Sequence, residues 1–186
     1  METQSITELM LPVEKCGMIS EDDTLYDAFV AMDKINKDLV KTTDDNPHRA
    51  ILVCDKSKQV VGKINHTDLL RALEPKYEQM GDAKVLSRAG FSPEFLKSIQ
   101  TKYSLWDNPL RDICNKAVKN KAKNIMHIPS KSEYIDESAS IDEAVHQLVM
   151  GSHQSLLVLR DKKVVGVIRL ADMIKNIFKI IKSCET

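Results

Sequence analysis

The sequence predicts an α/β (α+β) fold built from two pseudo-symmetric units, each running strand, helix, strand, strand, helix (β-α-β-β-α), with a helical insertion between them. Three observations predict it. Val60-Val61-Gly62-Lys63-Ile64-Asn65-His66-Thr67-Asp68-Leu69-Leu70 recurs about a hundred residues later as Val164-Val165-Gly166-Val167-Ile168-Arg169-Leu170-Ala171-Asp172-Met173-Ile174, with glycine, strand and aspartate at the same mutual spacing. Upstream of each, Thr24-Leu25-Tyr26-Asp27-Ala28 matches Ser140-Ile141-Asp142-Glu143-Ala144. Between the copies, Lys76 to Asn124 carries two helical patterns of its own. Two copies of one unit tend to bury their matched faces against each other, and the midline between them is a natural place for a ligand. The organisation read from this is a first unit at 1–75, an insertion at 76–123 and a second unit at 124–186.

The first unit opens with Ile6 to Leu11, an apolar-flanked helical turn stopped by Pro12, followed by a short extended piece through Met18 and Ile19. Thr24 with Asp27 three residues on resembles a capping box, and Leu25, Ala28, Phe29 and Met32 follow at helical spacing. A polar stretch from Asn36 to Pro47 makes this unit about eleven residues longer than its copy, which reads as a surface loop. Ala50 to Cys54 is short, apolar and partly β-branched like a buried strand, Asp55 to Gln59 is a turn, and Val60 to Ile64 returns as a second strand. Thr67-Asp68 is read as opening a helix that carries Leu69, Leu70 and Leu73 and stops at Pro75. The second unit repeats this order from the Ser140/Glu143 capping box through Ser155 to Leu159, a turn at Asp161-Lys162-Lys163 and a strand at Val164 to Ile168. Asp172 then opens a helix predicted to turn Met173, Ile174, Ile177, Phe178 and Ile181 inward.

In the insertion, Ser92-Pro93-Glu94 is a helix start with serine as cap and proline at the first position, leading into Phe95, Leu96 and Ile99. Asp107-Asn108-Pro109 starts another. Its Leu110, Ile113, Cys114, Ala117 and Val118 fall on one face, and Lys116, Lys119 and Lys121 fall on the other. Tyr103, Leu105 and the single tryptophan, Trp106, sit at the corner between the two helices, with Gly81 and Gly90 as flexible points. A hairpin packed on the units or on a dimer mate is the simpler reading, and a lysine-rich ligand site is the other.

Composition narrows the function. At 186 residues with 42% hydrophobic and 29% charged content, the chain can bury one good core or two small ones. Lysine plus arginine equals aspartate plus glutamate at 27 each, so no global field draws it to nucleic acid or to an anionic membrane. The first residues lack a basic start followed by an apolar run, and no apolar stretch approaches bilayer length, so a cytoplasmic location without membrane partners is expected. Cys16, Cys54, Cys114 and Cys184 form no C-x-x-C pair, and the five histidines form no H-x-x-x-H pattern, so neither a metal site nor a resident cofactor is expected. No G-x-S-x-G, Walker loop or G-x-G-x-x-G occurs, so an enzyme is not expected.

The duplicated motif resembles that of tandem CBS domains, the Bateman module. Its ligand motif of glycine, two apolar residues, serine or threonine, two variable residues and aspartate aligns with Gly62 to Asp68 and Gly166 to Asp172. Glu8-Leu9-Met10-Leu11-Pro12 and Asn124-Ile125-Met126 are similar to the short lead-ins before each repeat. The resemblance implies two clefts that bind adenosine compounds such as AMP, ADP, ATP or S-adenosylmethionine. It also implies a regulatory role towards an unidentified protein, and a homodimer. It places Asp68 and Asp172 at ribose hydroxyls, a chemically apt partner because a carboxylate accepts two hydrogen bonds, although an aspartate that stabilises a helix start explains them equally. The serine or threonine of the motif is Asn65 in one copy and Arg169 in the other; Arg169 either grips phosphate or turns onto Asp172 and closes its cleft. Gly62, Ile64, Thr67, Gly166 and Ile168 complete the two motifs, and Ala50 with Ile51, and Ser155 with Leu156, would shape walls for adenine or simply pack the core. The first cleft is expected to bind more readily than the second, and the insertion to move when it does. The competing reading is a dimeric interaction scaffold whose clefts bind nothing.

Overall fold

The computed structural model describes residues 5–40, 50–74, 76–77, 90–106 and 109–184. In the first unit the order is β2 (Met18–Ser20), α1 (Leu25–Val40), β3 (Ala50–Cys54), β4 (Val60–Asn65) and α2 (His66–Leu73). Strand β2 runs parallel to β3, pairing Met18 with Leu52, which requires the α1 crossover, while β3 and β4 form an antiparallel hairpin with Ala50 opposite Asn65. The second unit repeats the plan with β5 (Tyr134–Asp136), α6 (Ile141–Gly151), β6 (Ser155–Arg160), β7 (Lys163–Arg169) and α7 (Leu170–Cys184). Its sheet gains a fourth strand, β1 (Leu11–Pro12), in the order β1-β7-β6-β5.

Local chemistry fixes these elements. The Thr24 and Asp27 pair is a working capping box, with Asp27 Oδ2 accepting from Thr24 N–H at 2.8 Å, and Ser140 with Glu143 is its counterpart on α6. Asp55 Oδ1 accepts from the N–H groups of Ser57 and Gln59, shaping the β3–β4 turn. The β6–β7 turn places Asp161 and Lys162 at φ 49 and 64, the left-handed pair of a two-residue hairpin.

Strand alternation then separates three apolar layers. Ile51, Val53 and Ile64 pack with Leu25, Ala28, Met32 and Leu69 in the first unit; Leu156, Val158 and Ile168 pack with Ala144, Leu148 and Met173 in the second. The opposite faces of the strands meet between the units, through Leu52, Leu157, Val167 and Cys16.

The lead-ins cross over. Ser5 bridges Ser140, Ile6 lies fully buried in the second core, and Leu11 and Pro12 pair with Val167 and Gly166. In mirror fashion Thr24 bridges Lys121, Ala122 from the short helix α5 (Ala122–Ile125) is buried in the first core, and His127 bridges Lys63. Each unit is therefore completed by the segment that precedes the other in sequence. The two motif glycines make the crossing possible. A Cβ on Gly166 would stand 2.7 Å from Met10 Sδ and 2.9 Å from the Leu11 carbonyl oxygen, and one on Gly62 would meet Met126.

Several expectations are corrected. Helices α2 and α7 begin at His66 and Leu170, so Asp68 and Asp172 sit inside the first turn rather than opening the helix. Of the five α7 residues expected to face inward, only Met173 and Ile177 do; Ile174, Phe178 and Ile181 are 59, 54 and 53% exposed because the core lies on the other side of the helix. Helix α1 continues through Lys37 to Val40, where a loop was expected, and residues 41–49 lie outside the described residues. In the insertion α3 (Pro93–Lys102) starts at the expected Ser92 cap, yet Phe95 and Leu96 are exposed, with Phe95 stacked on Phe91. Helix α4 (Pro109–Lys119) packs on α1 and α2, but Cys114 and Val118 face outward while Lys116 is half-buried and donates to the Leu73 carbonyl at 2.9 Å. Asp107, Asn108, Gly81 and the Leu110 side chain lie outside the described residues.

Candidate functional site

The crossing lead-ins meet the ends of β4 and β7 at two equivalent places, and at the second of these the structure has a cleft. The second is bounded by Glu8 to Leu11 on one side and by Arg169, Asp172, Lys175 and Asn176 on the other, and encloses about 210 Å³. Arg169 lines it. Its Nε and Nη2 donate to the two carboxylate oxygens of Asp172, the Nη2 bond measuring 2.6 Å, and both side chains are largely buried. That is a fork-on-carboxylate ion pair, the stronger kind, and it engages both oxygens the aspartate would offer a ribose. Of the two roles open to Arg169, the structure has it turned onto Asp172.

The first unit has different chemistry at the equivalent place. Asn65 caps α2, with its Oδ1 accepting from Asp68 N–H at 3.0 Å while Asp68 Oδ2 accepts from Asn65 N–H at 2.9 Å. Asp68 thus serves as a helix-start partner through one oxygen and keeps the other without a partner among the described residues. Ala50 stands opposite Asn65 and Ser155 opposite Arg169, so the two half-buried pairs occupy equivalent positions at the ends of their sheets. Thr67 is exposed on the first turn of α2. Ile51, Ile64, Leu156 and Ile168 are fully buried in the cores of their own units, and Gly62 and Gly166 are the platforms on which the lead-ins rest.

A buried polar cluster beside the first cleft escaped the sequence reading. Glu133, in the single turn Lys131–Glu133, accepts from Lys63 Nζ at 2.5 Å and pairs with His127 Nε2 at 2.7 Å; the Glu133 and Lys63 side chains are 7 and 11% exposed. Burial alone would raise the Glu133 carboxyl, but hydrogen bonds from Lys63, His127 and the Ser130 N–H, with the Lys63 charge, hold it at about 2. The signal was present in the comparison of the copies, since Lys63 stands where Val167 stands and His127 where Leu11 stands. Glu133 has no motif to mark it.

A wider open groove of about 490 Å³ runs between β5 and α6, past Tyr134, Asp136, Glu143, His146 and Met150, and contains none of the expected site residues. The insertion is tied to α2 by buried Glu74, whose carboxylate accepts from Trp106 N–H at 3.0 Å and Lys76 N–H at 3.3 Å; Trp106 Nε1 donates to Tyr77 at 3.0 Å. Among the described residues no group of three or more His, Cys, Asp or Glu side chains is placed to hold a metal ion, and no helix is long and apolar enough to cross a membrane.

The CBS domain profile matches residues 6–75 and 122–179, most of the chain, and the fold carries the same pair. The chain belongs to the CBS domain family, as two CBS domains in tandem that form one Bateman module. No curated protein matches its sequence. Among solved structures it resembles the CBS domain of a CBS domain containing membrane protein from Sphaerobacter thermophilus (22% identity, 92% of this chain and 86% of that one, TM-score 0.59). It also resembles CBSX2 in complex with AMP (15%, 95% and 97%, TM-score 0.58). A third is the CBS domain of a bacterial CNNM/CorC family Mg2+ transporter in complex with ATP (16%, 95% and 89%, TM-score 0.57). At these identities the likeness is one of fold.

Proposed function

We propose that this CBS pair is a regulatory module that binds an adenosine-containing metabolite, AMP, ADP, ATP or S-adenosylmethionine, in its first cleft. The observation that carries this reading is the inequality of the two motif ends. The second has its aspartate engaged by Arg169 and a volume below the ~300 Å³ at which ligand pockets begin. The first keeps Asn65 as a short amide at the strand end and one Asp68 oxygen without a partner among the described residues, available to a ribose hydroxyl. AMP and ATP complexes of structurally similar CBS pairs support the ligand class. The module is regulatory rather than catalytic, as CBS domains generally are. A ligand signals by binding one arrangement of the two units better than another, and the unit-crossing lead-ins are the parts that such a difference would move. In this reading the units at 1–75 and 124–186 are joined by the insertion at 76–123, the protein works as a cytoplasmic homodimer on a partner protein, and neither nucleic acid nor membrane is a ligand.

Calorimetry with adenosine nucleotides tests the reading. Losing hydrogen bonds to a charged Asp68 costs about 1.5–3 kcal/mol, so Asp68→Ala weakens binding about ten- to a hundred-fold while Asp172→Ala leaves it near wild type. Equal affinity of wild type and Asp68→Ala removes the first cleft from consideration. The Arg169 closure and the uncovered apolar side of α7 favour a second reading, a dimeric scaffold with silent clefts, and the absence of binding by any adenosine compound would establish it.

A further inference from the structure

We propose that Lys63 and His127 form a phosphate subsite of the first cleft, occupied in this structure by the Glu133 carboxylate, which a ligand's phosphate group replaces. The proposal rests on the reading of the first cleft as a nucleotide site and goes beyond it by naming the groups that select a phosphate.

Three observations carry it. The first is position. Lys63 and Asn65 are two residues apart on β4 and therefore project from the same strand face about 7 Å apart, the face that also carries Leu52 and Ala50. His127 occupies the place that Leu11 takes in the second unit, and Leu11 lines the second cleft. Lys63 Nζ and His127 Nε2 converge on one carboxylate from either side, at 2.5 and 2.7 Å. The second is the internal control. At the equivalent positions the other half of the molecule uses Leu11 and Val167, both packed in the apolar layer between the units, so the fold has no need of an ionic cluster there. A buried ion pair recovers its desolvation cost only with good geometry and adds little over an apolar pair, so its presence on one side alone calls for a role outside packing. The third is the second resting place of Glu133. Its Oε1 also accepts from Ser130 N–H at 3.0 Å and from Ser130 Oγ at 3.3 Å within its own turn. The carboxylate can give up Lys63 and His127 and still have donors.

Chemically the exchange is like for like. A phosphate, as a multi-oxygen anion, accepts from a lysine ammonium and an imidazole N–H as a carboxylate does, and with more charge. The internal carboxylate sets a threshold: a neutral nucleoside has nothing with which to displace it, whereas a nucleotide does.

The test compares AMP with adenosine by calorimetry. Wild type is expected to bind AMP about ten-fold more tightly than adenosine; Glu133→Gln, which frees the two donors, raises that ratio about a further ten-fold; and Lys63→Val in the Glu133→Gln background returns it towards one. An AMP-to-adenosine ratio that Glu133→Gln leaves unchanged or lowers overturns the subsite. Where that variant does not fold, the wild-type protein decides by NMR: the His127 ring resonances shift on saturation with AMP and stay in place with adenosine, and a ring indifferent to AMP overturns the proposal. Wild type binding both compounds equally rejects the subsite alone, whereas binding neither rejects the subsite and the first-cleft reading together.

Discussion

Alanine at Gly166 tests the physical reason for the motif glycine. The residue is not in the left-handed region, so alanine can adopt its backbone; the difficulty is contact. The added methyl would lie 2.9 Å from the Leu11 carbonyl oxygen and 2.7 Å from Met10 Sδ. Met10 can swing its thioether aside, but the carbonyl belongs to the β1 backbone that pairs Leu11 with Val167 and Pro12 with Gly166, so the lead-in itself has to lift. Overpacking of this kind costs about 1–3 kcal/mol, and lost pairing places Gly166→Ala at the upper end, offset by a few tenths to 1 kcal/mol from the stiffer unfolded chain. For a chain of this size about 2–3 kcal/mol lowers Tm by about 4–12 °C. Gly62→Ala is the internal control. Its nearest atoms all belong to the Met126 side chain, with Cγ at 2.8 Å and Cβ at 3.0 Å and no backbone atom among them, so about 1 kcal/mol and a drop of about 2–4 °C are expected. Thermal melts by circular dichroism read both, and hydrogen exchange at Leu11 should accelerate in Gly166→Ala only. A Gly166→Ala protein melting within 1 °C of wild type, or a Gly62→Ala protein that is the less stable of the two, would refute the close-approach explanation.

Three further outcomes are expected. Glu133 is held at about 2 against an ordinary 4.5, so its stabilising contribution is fully present above pH 4.5 and is lost as pH falls from 4.5 towards 2; urea midpoints of wild type should drop across that window more steeply than those of Glu133→Gln, and parallel curves would show that the cluster contributes nothing to folding. Ile174, Phe178 and Ile181 on α7, with Tyr26, Phe29 and Val30 on α1, leave two apolar helix faces uncovered, and light scattering at micromolar concentration should give twice the 21.0 kDa chain mass; a monomer throughout would refute the dimer. Because α2 begins at the Asn65–Asp68 cap and ends at Glu74, which holds the Trp106 N–H, a ligand in the first cleft should change Trp106 fluorescence, and a spectrum unmoved at saturation would make the insertion a static brace.

The fold was legible because it is written twice. Periodicity, capping pairs and the repeated glycine-to-aspartate spacing all point to the same unit, and the strands and helices formed where those patterns lie. The crossing of the lead-ins was not legible, since Ile6 and Ala122 are apolar in any pairing and nothing local says which core receives them. Exposure on α7 was misread for a related reason: Ile174, Phe178 and Ile181 form as regular an apolar stripe as a buried face, and a sequence cannot say whether the surface covering it is its own. In the insertion a hairpin packed on the units was expected; its second helix does pack on α1 and α2, but Phe95 is exposed and a further tie is a buried carboxylate, Glu74, that carries no pattern at all. At the clefts the sequence named the residues whose identity differs between copies, while their geometry, Arg169 folded onto Asp172 and Asn65 locked as a cap, depended on rotamers.

A duplicated chain supplies its own reference state, and departures from symmetry within it are more informative than the symmetric core. Where both copies carry the same solution, as with Gly62 and Gly166 beneath Met126 and Met10, the residue is explained by the architecture. Where they diverge at a place that the architecture treats identically, packing cannot be the reason, because the other copy packs well without the change. By that criterion Lys63 against Val167, His127 against Leu11 and Asn65 against Arg169 are the three differences in most need of a chemical account, and all three fall at one end of β4 or beside it. The two ends also hold their cations differently: Arg169 is paired on the motif aspartate Asp172, while Lys63 and His127 are paired on Glu133, outside the motif. A module that needed only to dimerise would gain nothing from that bias. One that exchanges the Glu133 carboxylate for a ligand's phosphate, as proposed above, uses it.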